Sequence, residues 1–81
     1  MMIHRWKTIT KGECWNTTDR VSSEYKGIVY VDKYTNTYDY RIVSLEDKSK
    51  SWRNAKKPFK TLGRAKSQCW RAVINMPCNK L

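Results

Sequence analysis

Gly27-Ile28-Val29-Tyr30-Val31-Asp32-Lys33-Tyr34, then Thr35-Asn36-Thr37, then Tyr38-Asp39-Tyr40-Arg41-Ile42-Val43-Ser44-Leu45 is the stretch on which the fold turns. β-Branched and aromatic residues fill both arms, and such side chains pack well on a pleated, half-buried surface. Asn36 between them tolerates the left-handed backbone that a tight connection needs. The stretch predicts a β-hairpin.

Downstream, Glu46-Asp47-Lys48-Ser49-Lys50 is too polar for a core strand and reads as a second turn. Ser51-Trp52-Arg53-Asn54-Ala55 follows as a short third strand, which Lys56-Lys57-Pro58 breaks on the way through Phe59 to a helix. Thr61 is placed as its N-cap. Leu62, Ala65, Cys69, Ala72, Val73 and Met76 then recur at three- and four-residue steps. At 100° per residue they fall within roughly a 100° arc. Trp70 and Ile74 flank that stripe, Arg64, Ser67, Gln68, Arg71 and Asn75 take the solvent side, and Pro77 ends the helix.

Upstream, residues 3–9 alternate poorly and suit an edge strand, Lys11-Gly12 supplies a turn, and residues 14–21 read as loop or irregular strand. The expected fold class is α+β: a small antiparallel sheet of three to four strands packed against one C-terminal helix. One domain is expected over residues 1–81, with a sheet-plus-helix core at 25–76 and an edge strand and loop at 1–24.

At 81 residues, a domain buries only about 60% of the surface its unfolded chain exposes, which leaves a thin core and little room for an enclosed catalytic pocket. The net charge is +10, and its placement is uneven. Residues 1–47 carry seven basic and seven acidic side chains, whereas residues 48–81 carry ten basic and no acidic ones. Such a surface attracts polyanions by counterion release, so nucleic acid is the first partner to consider and an acidic protein surface the second. A solvated face that only keeps the chain soluble is the plain alternative.

No stretch approaches the roughly 18 apolar residues of a membrane span, and residues 1–10 lack the apolar middle of a signal peptide. A cytoplasmic location is expected. Cys14, Cys69 and Cys78 are odd in number and unpaired in spacing, which argues for reduced thiols and against a disulfide framework. No metal site or cofactor is expected, because the only histidine, His4, would have to meet three scattered cysteines. His4 is also the one ordinary candidate for acid–base chemistry near neutral pH, as in a small basic ribonuclease, and no catalytic constellation stands beside it in the sequence. The expectation is therefore not an enzyme.

Tyr25-Lys26-Gly27-Ile28, Tyr38-Asp39-Tyr40-Arg41-Ile42 and Pro58-Phe59-Lys60-Thr61-Leu62-Gly63-Arg64-Ala65-Lys66 together resemble a family of compact DNA-binding domains. These are the three-stranded-sheet-plus-helix domains of the plant ethylene-response transcription factors and of the amino-terminal regions of some phage and transposon tyrosine integrases. The resemblance covers about residues 25–74. It implies a twisted sheet laid in the DNA major groove with the helix behind it as a brace. Carried over residue by residue, it implies that Lys26, Tyr30, Arg41, Trp52 and Arg53 face the DNA, and it suggests a phage or mobile-element source.

The residues themselves point to a neighbouring surface. Trp52 beside Arg53, with Lys48, Lys50, Lys56, Lys57 and Lys60 around them, interleaves an aromatic with basic density, and Arg64 and Arg71 continue it on the helix. Trp52 can equally cap the small core. Tyr30, Tyr34, Tyr38 and Tyr40 serve as cross-strand pairs or, should Tyr38 and Tyr40 share a face with Tyr30, as a platform for single-stranded bases. Trp6, Trp15 and Trp70 are expected as core or partner-binding anchors. The expected function is binding of DNA or RNA through the third strand, the basic loop and the helix start. The rival is an inhibitor of viral type that docks its basic, Trp-containing surface on an acidic host protein.

Overall fold

A computed structural model of the chain describes residues 6–17 and 24–76. Along the chain run β1 (Trp6–Thr10), β2 (Cys14–Thr17), β3 (Tyr25–Asp32), β4 (Thr37–Ser44), β5 (Ser51–Arg53) and the helix α1 (Leu62–Ile74). The strands form one antiparallel meander in the order β1-β2-β3-β4-β5.

The central hairpin pairs as its composition predicts, with Tyr25 opposite Ser44 at one end and Asp32 opposite Thr37 at the other. Its connection is residues 33–36, where 35–37 was expected, so it begins two residues earlier and ends one residue earlier. Asn36 takes the left-handed backbone there at φ 56°, and Asp32 Oδ1 accepts hydrogen bonds from the amides of Tyr34 at 2.9 Å and Thr35 at 3.5 Å. That carboxylate does for the turn what a backbone carbonyl would otherwise do. Gly12 makes the β1–β2 turn at φ 73°, a backbone that side chains rarely adopt.

The sheet has five strands where three to four were expected. Of residues 14–21, expected as loop or irregular strand, 14–17 form a strand that pairs on one side with β1, across an irregularity in register, and on the other with β3. A polar tetrapeptide becomes a strand because it lies between two strands that satisfy its backbone groups. Residues 3–5 of the expected first strand lie outside the described residues, as do residues 18–21, Pro77, His4 and Cys78.

Alternation along the strands gives the sheet two unlike faces. One carries Val29 and Ile42 and lies under α1, whose Ala65, Cys69 and Val73 complete, among the described residues, a buried core of five side chains. Trp6, Trp15, Tyr25, Tyr38, Tyr40, Phe59, Leu62, Ala72 and Met76 pack around it. This is the helix stripe the sequence predicts, residue for residue. Thr61 caps α1: its Oγ1 accepts the Arg64 amide at 3.3 Å.

Lys66 was not singled out in the sequence. It places its ammonium over both indoles of the outer strands, 5.5 Å from the Trp6 centroid and 5.7 Å from that of Trp15. Cation–π attraction of this kind fastens the β1–β2 end of the sheet to the helix. No described helix is long and apolar enough to cross a membrane.

Candidate nucleic-acid interface

The face of the sheet away from α1 is built by strand register. Asn16 stands opposite Ile28, Ile28 opposite Arg41, and Arg41 opposite Arg53. Lys7, paired with Asn16, adds a cation at the other edge. One cross-strand row thus runs Lys7, Asn16, Ile28, Arg41, Arg53 across all five strands. The next rows hold Cys14, Tyr30 and Asp39 on one side, and Lys26, Val43 and Ser51 on the other.

Of the residues implied to face DNA, the structure brings Lys26, Tyr30, Arg41 and Arg53 to this one face. Arg41 is half-buried, and among the described residues its Nε is a buried donor without a hydrogen-bond partner, as Asn16 Oδ1 in the same row is a buried acceptor without one. Orphaned buried groups of this kind cost on the order of 1–3 kcal/mol each. The Tyr30 hydroxyl is held protonated above its ordinary range, chiefly by burial and then by Asp39, with Arg53 and Arg41 pulling the other way. It stays a neutral donor at any physiological pH. Burial likewise raises the thiol of Cys14, partly offset by the charge of Arg41.

Trp52 does not join this face. It stands opposite Ile42 on the α1 side of the sheet, where its ring meets Tyr25 edge-on at 5.7 Å between centroids. It borders a hollow of about 160 Å³ together with Glu24, Glu46, Asp47 and Lys50. Adjacent strand residues point to opposite sides, so Trp52 and Arg53 cannot act as one surface. Carboxylates beside the indole also repel phosphate. Asp47 itself is held below the usual carboxylate range by hydrogen bonds from Ser49.

The tyrosine platform is absent for the same reason. Tyr38 and Tyr40, opposite Val31 and Val29, lie on the α1 side, Tyr30 lies on the open side, and Tyr34 is fully exposed in the turn. Cys14 and Cys69 are separated by the sheet, one on its open face and one beneath the helix, so they share no site.

The other cations singled out in the sequence lie around β5 and the start of α1. Lys56, Lys57 and Lys60 are exposed on the connection to α1, while Lys48 and Lys50 are exposed on the turn before β5. Arg64, Gln68 and Arg71 follow at helical steps, and Gln68 borders a cleft with Asn54 and Lys56, so this side of α1 faces the basic loop. Lys7 is the member of the row that sequence reasoning missed: its place follows only from the pairing of β1 with β2.

No family model matches the chain, and neither a curated protein nor a solved structure matches it.

Proposed function

We propose that the chain is a small duplex-DNA-binding module whose footprint starts on the open sheet face and turns around the β5 edge onto the basic loop. The observation that carries this reading is the row Lys7, Asn16, Ile28, Arg41, Arg53, which sets cations on three strands of one solvent-facing surface. Arg41 and Arg53, directly opposite each other, present the forked donors that match a guanine edge or a phosphate. Lys26 and Lys7 lie to either side for backbone phosphates, and Lys56, Lys57 and Lys60 extend the contact past the edge.

The resemblance to the three-stranded-sheet-plus-helix DNA-binding domains supports the same placement, since β3, β4, β5 and α1 are the elements it implies. Asp32 and Asp39 lie on the open face toward the 33–36 turn. Repulsion from phosphates shifts the footprint away from that turn, toward Lys26, Arg41 and Arg53. An acidic protein partner anchored by Trp52 draws no support from a tryptophan set among carboxylates.

The test is anisotropy of a labelled duplex against two variants. Arg41→Gln with Arg53→Gln is expected to weaken binding by about a hundredfold, on the order of tenfold for each arginine. Trp52→Ala is expected to leave affinity within about twofold, since its side chain is off the footprint. Equal losses from both variants, or none from the arginine pair, contradict the reading.

A further inference from the structure

Beside α1, on the far side of the β5 edge from the open face, lies a cleft of about 460 Å³. That is within the roughly 300–1,000 Å³ of small-molecule sites. We propose that this cleft binds an unpaired nucleotide, with the base against the Tyr40–Phe59 aromatic pair and the phosphate toward Arg53 and Lys56.

Three kinds of wall meet there. Tyr40 and Phe59 are stacked at 15° with centroids 6.2 Å apart, a flat apolar surface of the sort on which bases stack. Gln68, exposed on α1, offers an amide that both donates and accepts, as the edge of a base requires. Among the described residues its side chain makes no hydrogen bond. Arg53 and Lys56 at the rim, with Arg64 and Arg71 on the helix side that carries Gln68, supply positive charge for a phosphate.

The cleft is built before any ligand arrives. Phe59 and Tyr38 exchange backbone hydrogen bonds of 2.7 and 2.8 Å, which pins the end of the loop to β4. The Asn54 amide reaches Tyr40 O at 3.3 Å, and the Asn54 side chain accepts from Lys56 N at 3.1 Å and donates to Lys57 O at 3.4 Å. A loop closed on itself in this way loses little freedom on binding.

The combination of walls selects the ligand. Inorganic phosphate would engage the cations and leave the aromatic wall and the amide idle; an uncharged aromatic would leave the cations idle. A paired base shows only its edges in a groove, so a nucleotide reaching this wall must be out of the stack. Its source is either a free mononucleotide or an unpaired position in a strand. The inference does not rest on duplex binding by the open face.

Amide chemical shifts of the labelled protein test it. Titration with deoxyadenosine monophosphate is expected to move the signals of Asn54, Lys56, Phe59 and the Gln68 side-chain amide saturably. Inorganic phosphate at the same concentrations is expected to leave the Phe59 and Gln68 signals in place. Gln68→Ala, at an exposed helical position, is expected to weaken the nucleotide about two- to tenfold. A duplex with one bulged nucleotide, set against a fully paired one, identifies the source: a Gln68 shift specific to the bulge assigns a strand, and its absence alongside a mononucleotide response assigns the free nucleotide. Identical responses to phosphate and nucleotide, shifts scattered over the exposed lysines without saturation, or unchanged affinity in Gln68→Ala overturn the proposal. Because the mononucleotide arm needs no duplex, failure of the open-face reading leaves this result independent.

Discussion

Trp52 and Arg53 are neighbours in sequence with opposite surroundings, one against Tyr25 on the helix side and the other in the basic row of the open face. Their difference is the period of a strand, and no property of either residue alone reveals it. Trp52→Ala removes an edge-on aromatic contact worth about 0.5–1.5 kcal/mol, so thermal unfolding is expected to move down by a few degrees while DNA affinity holds. Cys69 makes a separate point at this scale. Burial in the core pushes its thiol from 9.0 up to about 12, so the folded state favours the protonated form. That contribution is fully present below pH 9, where the unfolded thiol is also protonated, and is lost as pH rises toward 12. Stability is expected to fall by about 1.4 kcal/mol per pH unit across this window from Cys69 alone, beyond any loss from other groups. Cys69→Ala should remove that slope in alkaline denaturant titrations; an unchanged slope would place the thiol outside the core.

At the scale of elements, the hairpin and helix were legible because their signals are local. β-Branched and aromatic runs mark β3 and β4, and Leu62, Ala65, Cys69, Ala72 and Val73 at helical steps mark α1 with Thr61 as its cap, the sixth stripe residue, Met76, lying just past its end. Thr61→Ala is expected to cost about 1 kcal/mol in denaturant unfolding, and no change would mean that the first turn is held by packing alone. β2 was not legible, because its four residues carry no periodic apolar signal and become a strand only between two partners distant in sequence. The faces taken by Tyr30, Tyr38 and Tyr40 depended on the register of the hairpin itself, which the position of its 33–36 connection sets. The basic row depended on the pairing of every strand: its five members lie one on each strand, the order and offset of the strands fix the row, and Lys7 belongs to it only through the pairing of β1 with β2.

At the level of the molecule, a core of five buried apolar side chains among the described residues is small, and each matters accordingly. Ile42→Ala, at the centre of the sheet, is expected to cost about 2–5 kcal/mol, enough to unfold much of a marginal domain. A variant that stays folded with an unchanged midpoint would contradict the core assignment. The charge of the chain, by contrast, sits outside this core and is free to serve a partner. Of the basic residues after residue 47, Lys56, Lys57, Lys60, Arg64 and Arg71 lie on the loop and helix beside β5 and are joined to Arg41 on the open face by Arg53, while Lys66 is taken up by the indoles of the outer strands.

The most direct test of that account is the salt dependence of duplex binding for the native chain and for Arg53→Ala combined with Lys56→Ala and Lys57→Ala. All three are exposed, so the triple variant should unfold at nearly the native temperature. The account predicts a log–log slope of several units for the native chain and a slope smaller by about three for the variant, roughly one for each phosphate contact removed. A native chain that shows no binding at low salt, or a variant whose slope is unchanged, would contradict it.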